Sequence, residues 1–559
     1  MPFPLLTVTA AVPAVGAVVT AALPAASTAA MRRTTKAVAL AFSAVTLVLV
    51  AIATARFDPG GDRYQLTESY TWIKSFGISF SFGVDGIGVV LALLTAVLVP
   101  LVMLASWHDA DPDGMQGPER RTAEARRRTQ GFFALILALE AMVVASFFST
   151  DVFLFYVLFE AMLIPLYFLI GSYGDRAGGA DEDRQRSYAA MKFLLYNLAG
   201  GLVMLVAVIG LYMYTARAGI GSGGGGTFNL ADITEALSNG TLSFAPGMEK
   251  ALFIGFFFAF AVKAPLWPLH TWLPSAMGES TAGTAVLITA VVDKVGTFAM
   301  LRFCLGLFPD ASKYFAPAIM VLGVIAIIYG ALVAIGQKEI KRLIAYASIS
   351  HFGFIVLGIF AMTSQGQSGA TLYMINHGLA TGVLMLIAGF LITRRGSRLI
   401  ADFGGVQKVA PVLAGTFLIG GLATLSLPGL APFVSEFLVL VGTFTRNPAL
   451  GITATIGIVL AAIYVLVLYQ RTMTGPVKES VSRMADLRVR EVLVVAPLIA
   501  LLIGLGIYPK PVADIVNPSV NATLADVHRT DPRPPHPVAE QSWFSYMHAG
   551  ADTHGGEAK

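Results

Sequence analysis

Five ionisable side chains stand inside segments too apolar to offer them water. Glu140 follows FFALILAL, Glu160 lies within DVFLFYVLFEAMLIPLYFLI, Lys263 within FFFAFAVKAPLWPLH, Lys294 within ITAVVDKVGTFAM, and Glu436 within PFVSEFLVLVG. A charge at the centre of a lipid-embedded helix costs about 2.5–3.5 kcal/mol on insertion scales, so such residues persist where they face a polar interior and have a task. Two tasks fit: buried ion pairs that hold helices together, or proton carriers. Two lysines and three carboxylates on separate segments exceed what assembly needs, and the two roles are compatible. Lysine suits proton transfer because burial weakens its hold on a proton and a nearby carboxylate restores it. Asp293 adjoins Lys294, but consecutive helical residues point about 100° apart, so both cannot aim at one spot. Lys294 is taken as the carrier and Asp293 as its support.

Three histidines extend this set. His351 in IAYASISHFGF and His377 in LYMINHGLATG fall between the segment bearing Lys294 and the one bearing Glu436. A lone buried histidine is commonly a satisfied core residue. In that position, however, an imidazole can accept at one nitrogen and donate from the other near neutral pH. His270 lies just past a proline-broken stretch and is a secondary candidate, as are Glu140 and Asp293.

Two segments must be broken. In VKAPLWPLHTWLP, Pro265 and Pro268 lack backbone N–H groups and crowd the carbonyls of Ala261 and Ala264, which are expected to be left free beside Lys263. In TLSLPGLAPFVSEF, Pro428 and Pro432 do the same about one turn before Glu436, and Gly429 between them adds backbone freedom to the break. A packing kink is the plainer explanation of either break. Paired broken helices in two halves of a chain are nonetheless the best sequence pointer to a transporter's ion pathway, since non-helical backbone at membrane depth needs protein or a wet cavity around it.

The elements that must position these groups are transmembrane helices. Of the 559 residues, 56% are hydrophobic and 13% charged, and the apolar residues gather into runs of roughly 20, the length that spans a hydrocarbon core about 30 Å thick. Spans are expected near 4–26, 37–55, 84–107, 131–149, 151–173, 189–215, 248–275, 281–308, 314–337, 343–362, 370–393, 411–445, 450–472 and 490–508. Loops after the odd-numbered spans carry 23 Lys and Arg residues, among them Arg120, Arg121 and Arg176, against seven in loops after the even-numbered spans. By the positive-inside rule this bias sets both termini outside, and one missed helix would scramble it. The first stretch has no basic residue before its apolar part and reads as a retained helix, not a signal peptide. A single cysteine, Cys304, excludes an all-cysteine iron–sulfur cluster held by this chain alone, and no Gly-rich phosphate loop follows a strand pattern, so no dinucleotide is bound here. The loop GIGSGGGGTFNLADITEALSNG reads as a flexible connection with one short helix. The tail from Lys510, with His528, His536, His548 and His554, reads as mostly disordered or draped over a neighbour, its histidines too irregularly spaced for a ready metal site.

The strings FYVLFEAMLIPLYFLIGSYG, FAVKAPLWPLHTWLPSA, LIAYASISHFGF, MINHG and LPGLAPFVSEFL resemble the antiporter-like membrane subunits of proton-pumping NADH:quinone oxidoreductase, respiratory complex I, over nearly the whole chain. The M branch of that family is the nearest in pattern. The resemblance implies an all-α integral membrane protein of about fourteen transmembrane helices, with two inverted five-helix repeats (spans 4–8 and 9–13), each containing a discontinuous helix (spans 7 and 12). The chain then divides into N-terminal helices at 1–107, a first half-channel at 131–308, a second at 314–472, a last helix at 490–508 and a polar tail at 509–559. Glu160 and Lys263 match the glutamate–lysine pair of the first half-channel, Lys294 the connecting lysine, His351 and His377 the central relay, and Glu436 the terminal carboxylate of the second. Glu140 matches a membrane glutamate of the M branch. The L and N branches, and the cation/proton antiporters, usually carry lysine where this chain has Glu436. The resemblance further implies a non-redox subunit of an oxidoreductase in the bacterial inner membrane. FMN, iron–sulfur clusters and quinone would be held by partner subunits and no cofactor by this chain. Its neighbours would be the L and N subunits, small membrane subunits and the lipid bilayer, with no direct NADH binding and no nucleic acid. A sodium–proton antiporter complex and a membrane-bound energy-converting hydrogenase share these motifs, and a scaffold with structural charges alone is the alternative from another class.

Overall fold

Residues 3–26, 28–111, 123–175, 181–221 and 224–532 are described by the structure, a computed structural model. Helices α1 (Leu5–Ala22), α2 (Ala29–Arg56) and α3 (Gly86–Ala105) come first, with a hairpin of β1 (Gln65–Ile73) and β2 (Ile78–Val84) between α2 and α3. Then follow α4 (Ala123–Phe148), α5 (Val152–Ala161), α6 (Leu163–Gly171), α7 (Glu182–Arg217) and the short α8 (Leu230–Ser238). Helices α9 (Pro246–Lys263) and α10 (Trp272–Glu279) flank the first break. Next, α11 (Ala282–Val286) and α12 (Asp293–Ala299) are joined by a π-helical stretch, Leu287–Val292, and followed by a second, Met300–Leu305. The remainder is α13 (Pro309–Ile335), α14 (Ile340–Ala361), α15 (Ser364–Arg395), α16 (Pro411–Thr424), α17 (Ala431–Arg446), α18 (Pro448–Met473), α19 (Val489–Ile507) and α20 (Lys510–Asp526).

Twelve helical stretches among the described residues are long and apolar enough to cross a membrane. The other two expected spans, the seventh and twelfth, are the interrupted pairs α9/α10 and α16/α17. This is a multi-pass membrane protein. A helix that is apolar on every face belongs in the interior, and burial sorts the helices accordingly. The apolar windows of Ala282–Leu305 and α15 are 100% buried and that of α14 is 94%, against 28% for α2 and α19. Lys294, His351 and His377 therefore ride on the three most enclosed helices.

Local chemistry fixes the helix starts. Asp85 caps α3 by accepting from Gly88 N–H (2.7 Å). Asp151 caps α5 through Phe153 and Leu154 N–H (2.9 Å each) and also accepts from Ser79 N–H on β2 (3.0 Å), tying the hairpin to the helix that carries Glu160. The connection to α8 docks on the same corner, with Val152 N–H donating to the Phe228 carbonyl (2.9 Å); Ser222 and Gly223 of that loop lie outside the described residues.

Two expectations need correction, and between α2 and α3 stands an element that none foresaw, a β-hairpin. Its Glu68 accepts from Leu6 and Thr7 N–H (2.8 and 3.0 Å), satisfying donors that the first turn of α1 leaves free. The tail begins as α20 rather than as disordered chain: Val516, Val520 and Leu524 recur at helical spacing on its buried face, and Ser519 Oγ accepts from Gly86 N–H (2.9 Å). His536, His548 and His554 lie outside the described residues, as do Arg120, Arg121 and Arg176. The Ala261 carbonyl is not left free by Pro265: the chain tightens past the helix end and Leu266 N–H takes it at 3.0 Å.

Candidate functional site

In the first half, Glu160 sits near the end of α5, just before a slight interruption at Met162 that the sequence reading did not anticipate. Pro165, lacking an N–H, is the local cause. Lys263 is the last residue of α9 and is buried. Its Nζ donates to the Phe159 carbonyl (2.7 Å) and lies 3.7 Å from the centre of the Phe159 ring. Lys263 and Glu160 attract each other electrostatically but form no ion pair within 4 Å, and Glu160 Oε1 has no hydrogen-bond partner. The carboxylate instead lies against Gly201 of α7, where an added Cβ would collide with Oε1. At the break itself, Trp272 Nε1 donates to the Val262 carbonyl (2.9 Å), so one carbonyl exposed by the missing helix is answered by a side chain.

Helix α12 passes close to this break. A Cβ at Gly296 would meet Ala264 N and Phe260 O at 3.0 Å, a tight contact that glycine avoids. Asp293, one residue before Lys294, is fully buried with neither carboxylate oxygen hydrogen-bonded, and interacts electrostatically with both Lys263 and Lys294. It therefore lies between the two lysines in charge terms. Lys294 is the second residue past the π-helical stretch. Its Nζ donates back to the Thr289 carbonyl (2.9 Å), lies 2.8 Å from His377 Nδ1 on α15, and rests 4.1 Å from the centre of the Phe352 ring. Such π-helical bulges recur at functional sites because they release backbone groups and re-aim side chains.

From His377 the file continues toward the second break. The rings of His377 and His351 are 5.4 Å apart between centroids, and His377 Nε2 is without a partner. His351 Nδ1 lies 2.5 Å from Tyr373 Oη, and Tyr373 Oη donates to Glu436 Oε2 (3.2 Å). Tyr464 Oη reaches His351 Nε2 at 3.3 Å. Ser426, in the break between α16 and α17, also donates to Glu436 Oε2. Its φ of 60° and that of Gly429 (93°) turn the chain sharply there. Asn376 secures the start of α17 by donating to the Ala431 carbonyl (2.8 Å).

Lys294, His377, His351 and Glu436 are thus assembled on four helices into one buried polar file. Tyr373, Tyr464 and Ser426 complete it and were missed. Tyr373 precedes His377 by four residues and so shares its helix face, a signal available from sequence; Tyr464, inside the apolar α18, gave none. Two candidates stand apart. Glu140 on α4 has Ser43 of α2 as its hydrogen-bond donor (3.0 Å). His270 meets Tyr329 edge to face, at 5.1 Å between ring centroids, with both ring nitrogens unpartnered. Arg302, on the second π-helical stretch, escaped the sequence reading altogether. It pairs with Asp85 (2.9 Å) and donates to the carbonyls of Phe147 and Ser149 (3.1 and 2.9 Å), clamping the helix of Lys294 to α3 and α4.

A family profile described as NADH:quinone oxidoreductase/Mrp antiporter, TM matches residues 149–461, a range that holds Glu160, Lys263, Lys294, His351, His377 and Glu436. The chain is 55% identical to NADH-quinone oxidoreductase subunit M of Mycobacterium tuberculosis over 554 residues, covering 96% of this chain and 97% of that one. Its structure superposes on a chain of respiratory complex I from Thermus thermophilus, solved with bound NADH, with a TM-score of 0.79 at 29% identity, over 93% of this chain and 99% of that one. A chain of the Mrp complex from Dietzia sp. shares the fold, with a TM-score of 0.77 at 18% identity over 94% and 100% of the two chains. The chain therefore belongs to the NADH:quinone oxidoreductase/Mrp antiporter membrane-subunit family, on the branch of subunit M.

Proposed function

We propose that this chain moves protons as a membrane-arm subunit of a bacterial NADH:quinone oxidoreductase, and that Glu160, Lys263, Lys294, His377, His351 and Glu436 are the carriers. The observation that carries the reading is the buried file from Lys294 to Glu436, in which each hydrogen-bonded neighbour can both take and give a proton. Its one gap lies between the two imidazoles, and a ring rotation or a single bridging water closes it. Electron transfer belongs to partner subunits, which would hold the FMN, iron–sulfur clusters and quinone. The neighbours in the membrane would be the L and N subunits and small membrane subunits, with both termini of this chain on the outer side of the inner membrane.

Redox chemistry elsewhere acts on this chain by shifting charge. When Glu160 moves away from Lys263, the lysine loses the anion that favours its charged form and gives its proton up toward Lys294, with Asp293 steadying the transfer. A geometry that leaves Glu160 within electrostatic reach of Lys263 but unbonded to it suits such a switch, since little has to break. Gly201→Ala tests the placement of Glu160. The added methyl group displaces the carboxylate, and coupled turnover is expected to fall on the order of ten- to a hundred-fold without loss of assembly, as misplacement by about 1 Å does elsewhere. An unchanged rate would mean that the position of Glu160 does not matter.

Identity with the assembly is tested by tagging this chain, extracting it in mild detergent, and assaying the product for flavin, iron and inhibitor-sensitive NADH:quinone activity. All three are expected together. Recovery with small hydrophobic proteins alone, free of flavin and iron, would move the reading to a cation–proton antiporter.

A further inference from the structure

On the side rich in basic loops, the ends of α13 and α18 pack beside the turn at 400–402 and leave a cavity of about 610 Å³. Lys338, Arg471 and Lys478 line it, with Ile335, Leu399 and Phe403 among its apolar walls and no carboxylate in its lining. Nearby acids are engaged elsewhere: Asp402 accepts from Ser397 Oγ (2.5 Å), and Glu339 faces Arg398 (3.8 Å). Lys478 donates to the Ala401 carbonyl, which uses one of its three donors. Among the described residues, neither Lys338 nor Arg471 has an ion-pair partner.

Three uncompensated cations around an apolar-walled hollow repel one another and call for an anion. Their place in the chain says which kind. Lys338 lies just past the end of α13, Arg471 in the last turn of α18, and Lys478 just beyond it, the level at which a membrane helix leaves the hydrocarbon. Toward the bilayer from the cavity, the same two helices expose Leu332 (53%) and Leu466 (49%). A soluble anion would use the cations and ignore those leucines. A lipid uses both.

We propose that this cavity binds the headgroup of an anionic phospholipid. Its phosphate is held by the Arg471 fork and the two ammonium groups, and its acyl chains lie over Leu332 and Leu466. The site does not depend on the proton-relay reading and is tested without any activity measurement.

The experiment uses the intact complex containing this chain, placed in bilayer nanodiscs with a photoactivatable phosphatidylglycerol or, separately, a photoactivatable phosphatidylcholine. Crosslinked peptides are then mapped by mass spectrometry. The anionic probe is expected to label the segments 335–338, 399–403 and 471–478 well above the zwitterionic one, and excess inorganic phosphate is expected not to displace it. The combined Lys338→Gln, Arg471→Gln and Lys478→Gln variant is expected to bind the anionic probe on the order of 100-fold more weakly, and Arg471→Gln alone about five-fold more weakly. Equal labelling by the two probes would reduce the site to ordinary lipid contact. Displacement by phosphate would make it a site for a free anion, and unchanged labelling in the single variant would remove the proposal. The comparison of probes on the unaltered chain decides the question even where the triple variant fails to assemble.

Discussion

Lys263→Ala is expected to stop proton translocation through this chain and to lower NADH:quinone turnover of the assembled complex by at least about ten-fold, while its flavin and iron content stays that of the wild type. Loss of a positioned proton-transfer group costs about 10²- to 10⁴-fold in general, and coupling passes that loss to turnover. Alanine removes the ammonium group that Phe159 holds with its carbonyl and ring, and leaves Glu160 and Asp293 without the cation between them. Lys263→Arg separates charge from transfer, because arginine stays protonated in proteins. Arginine is expected to assemble and fail as alanine does. Full pumping by the arginine variant, measured as protons per electron in sealed vesicles, would reduce Lys263 to a fixed charge.

Glu436→Gln is the second large effect. Glutamine keeps the volume of the side chain and an oxygen for Ser426 and Tyr373 to donate to, but it cannot carry a proton. Stability of the purified complex is expected to change by less than about 1 kcal/mol, as for a near-isosteric exchange. Coupled turnover is expected to drop on the order of a hundred-fold. Tyr373→Phe, which cuts the link between His351 and Glu436 and leaves both ends in place, is expected to give the same direction with a smaller loss. Proton uptake by vesicles, followed with a pH-sensitive dye, reads both variants. Wild-type uptake in the glutamine variant would remove Glu436 from the path.

What the sequence made legible follows from how strongly lipid constrains it. A charge in an apolar run, and a proline in a helix that has no water to repair it, are both expensive, so Lys263, Lys294, Glu436 and the two breaks stood out. Each of the fourteen expected segments coincides with helix in the structure, because length and hydropathy leave few alternatives. Features stabilised by contacts between distant residues were not legible. The hairpin is anchored through its own Glu68 to Leu6 of α1 and through Ser79 to Asp151 at the start of α5, and neither partner is near it in sequence. Helix α20 carries Pro518 and little apolar surface, and its stability comes from docking on α3 and α15. Arg302 was hidden because its partner Asp85 and its carbonyl acceptors lie on other helices. Within the file, the histidines could be named from their segments, whereas the hydroxyl groups of Tyr464 and Ser426 acquire a role only when α17 packs on α15 and α18 on α14.

The two breaks also differ in electrical sense. An α-helix carries the equivalent of about half a positive charge at its N-terminus and half a negative charge at its C-terminus. The first break ends α9 at Lys263, so the ammonium group meets the negative end of a helix. The second opens α17 shortly before Glu436, whose side chain leans back toward the start of its helix and meets the positive end beside Ser426. Each interruption thus supplies a half-charge opposite to that of its own titrating group when charged. The two breaks thus present helix ends of opposite sign to the buried groups nearest them, and a polarity of this kind persists whatever the protonation state of the side chains between them.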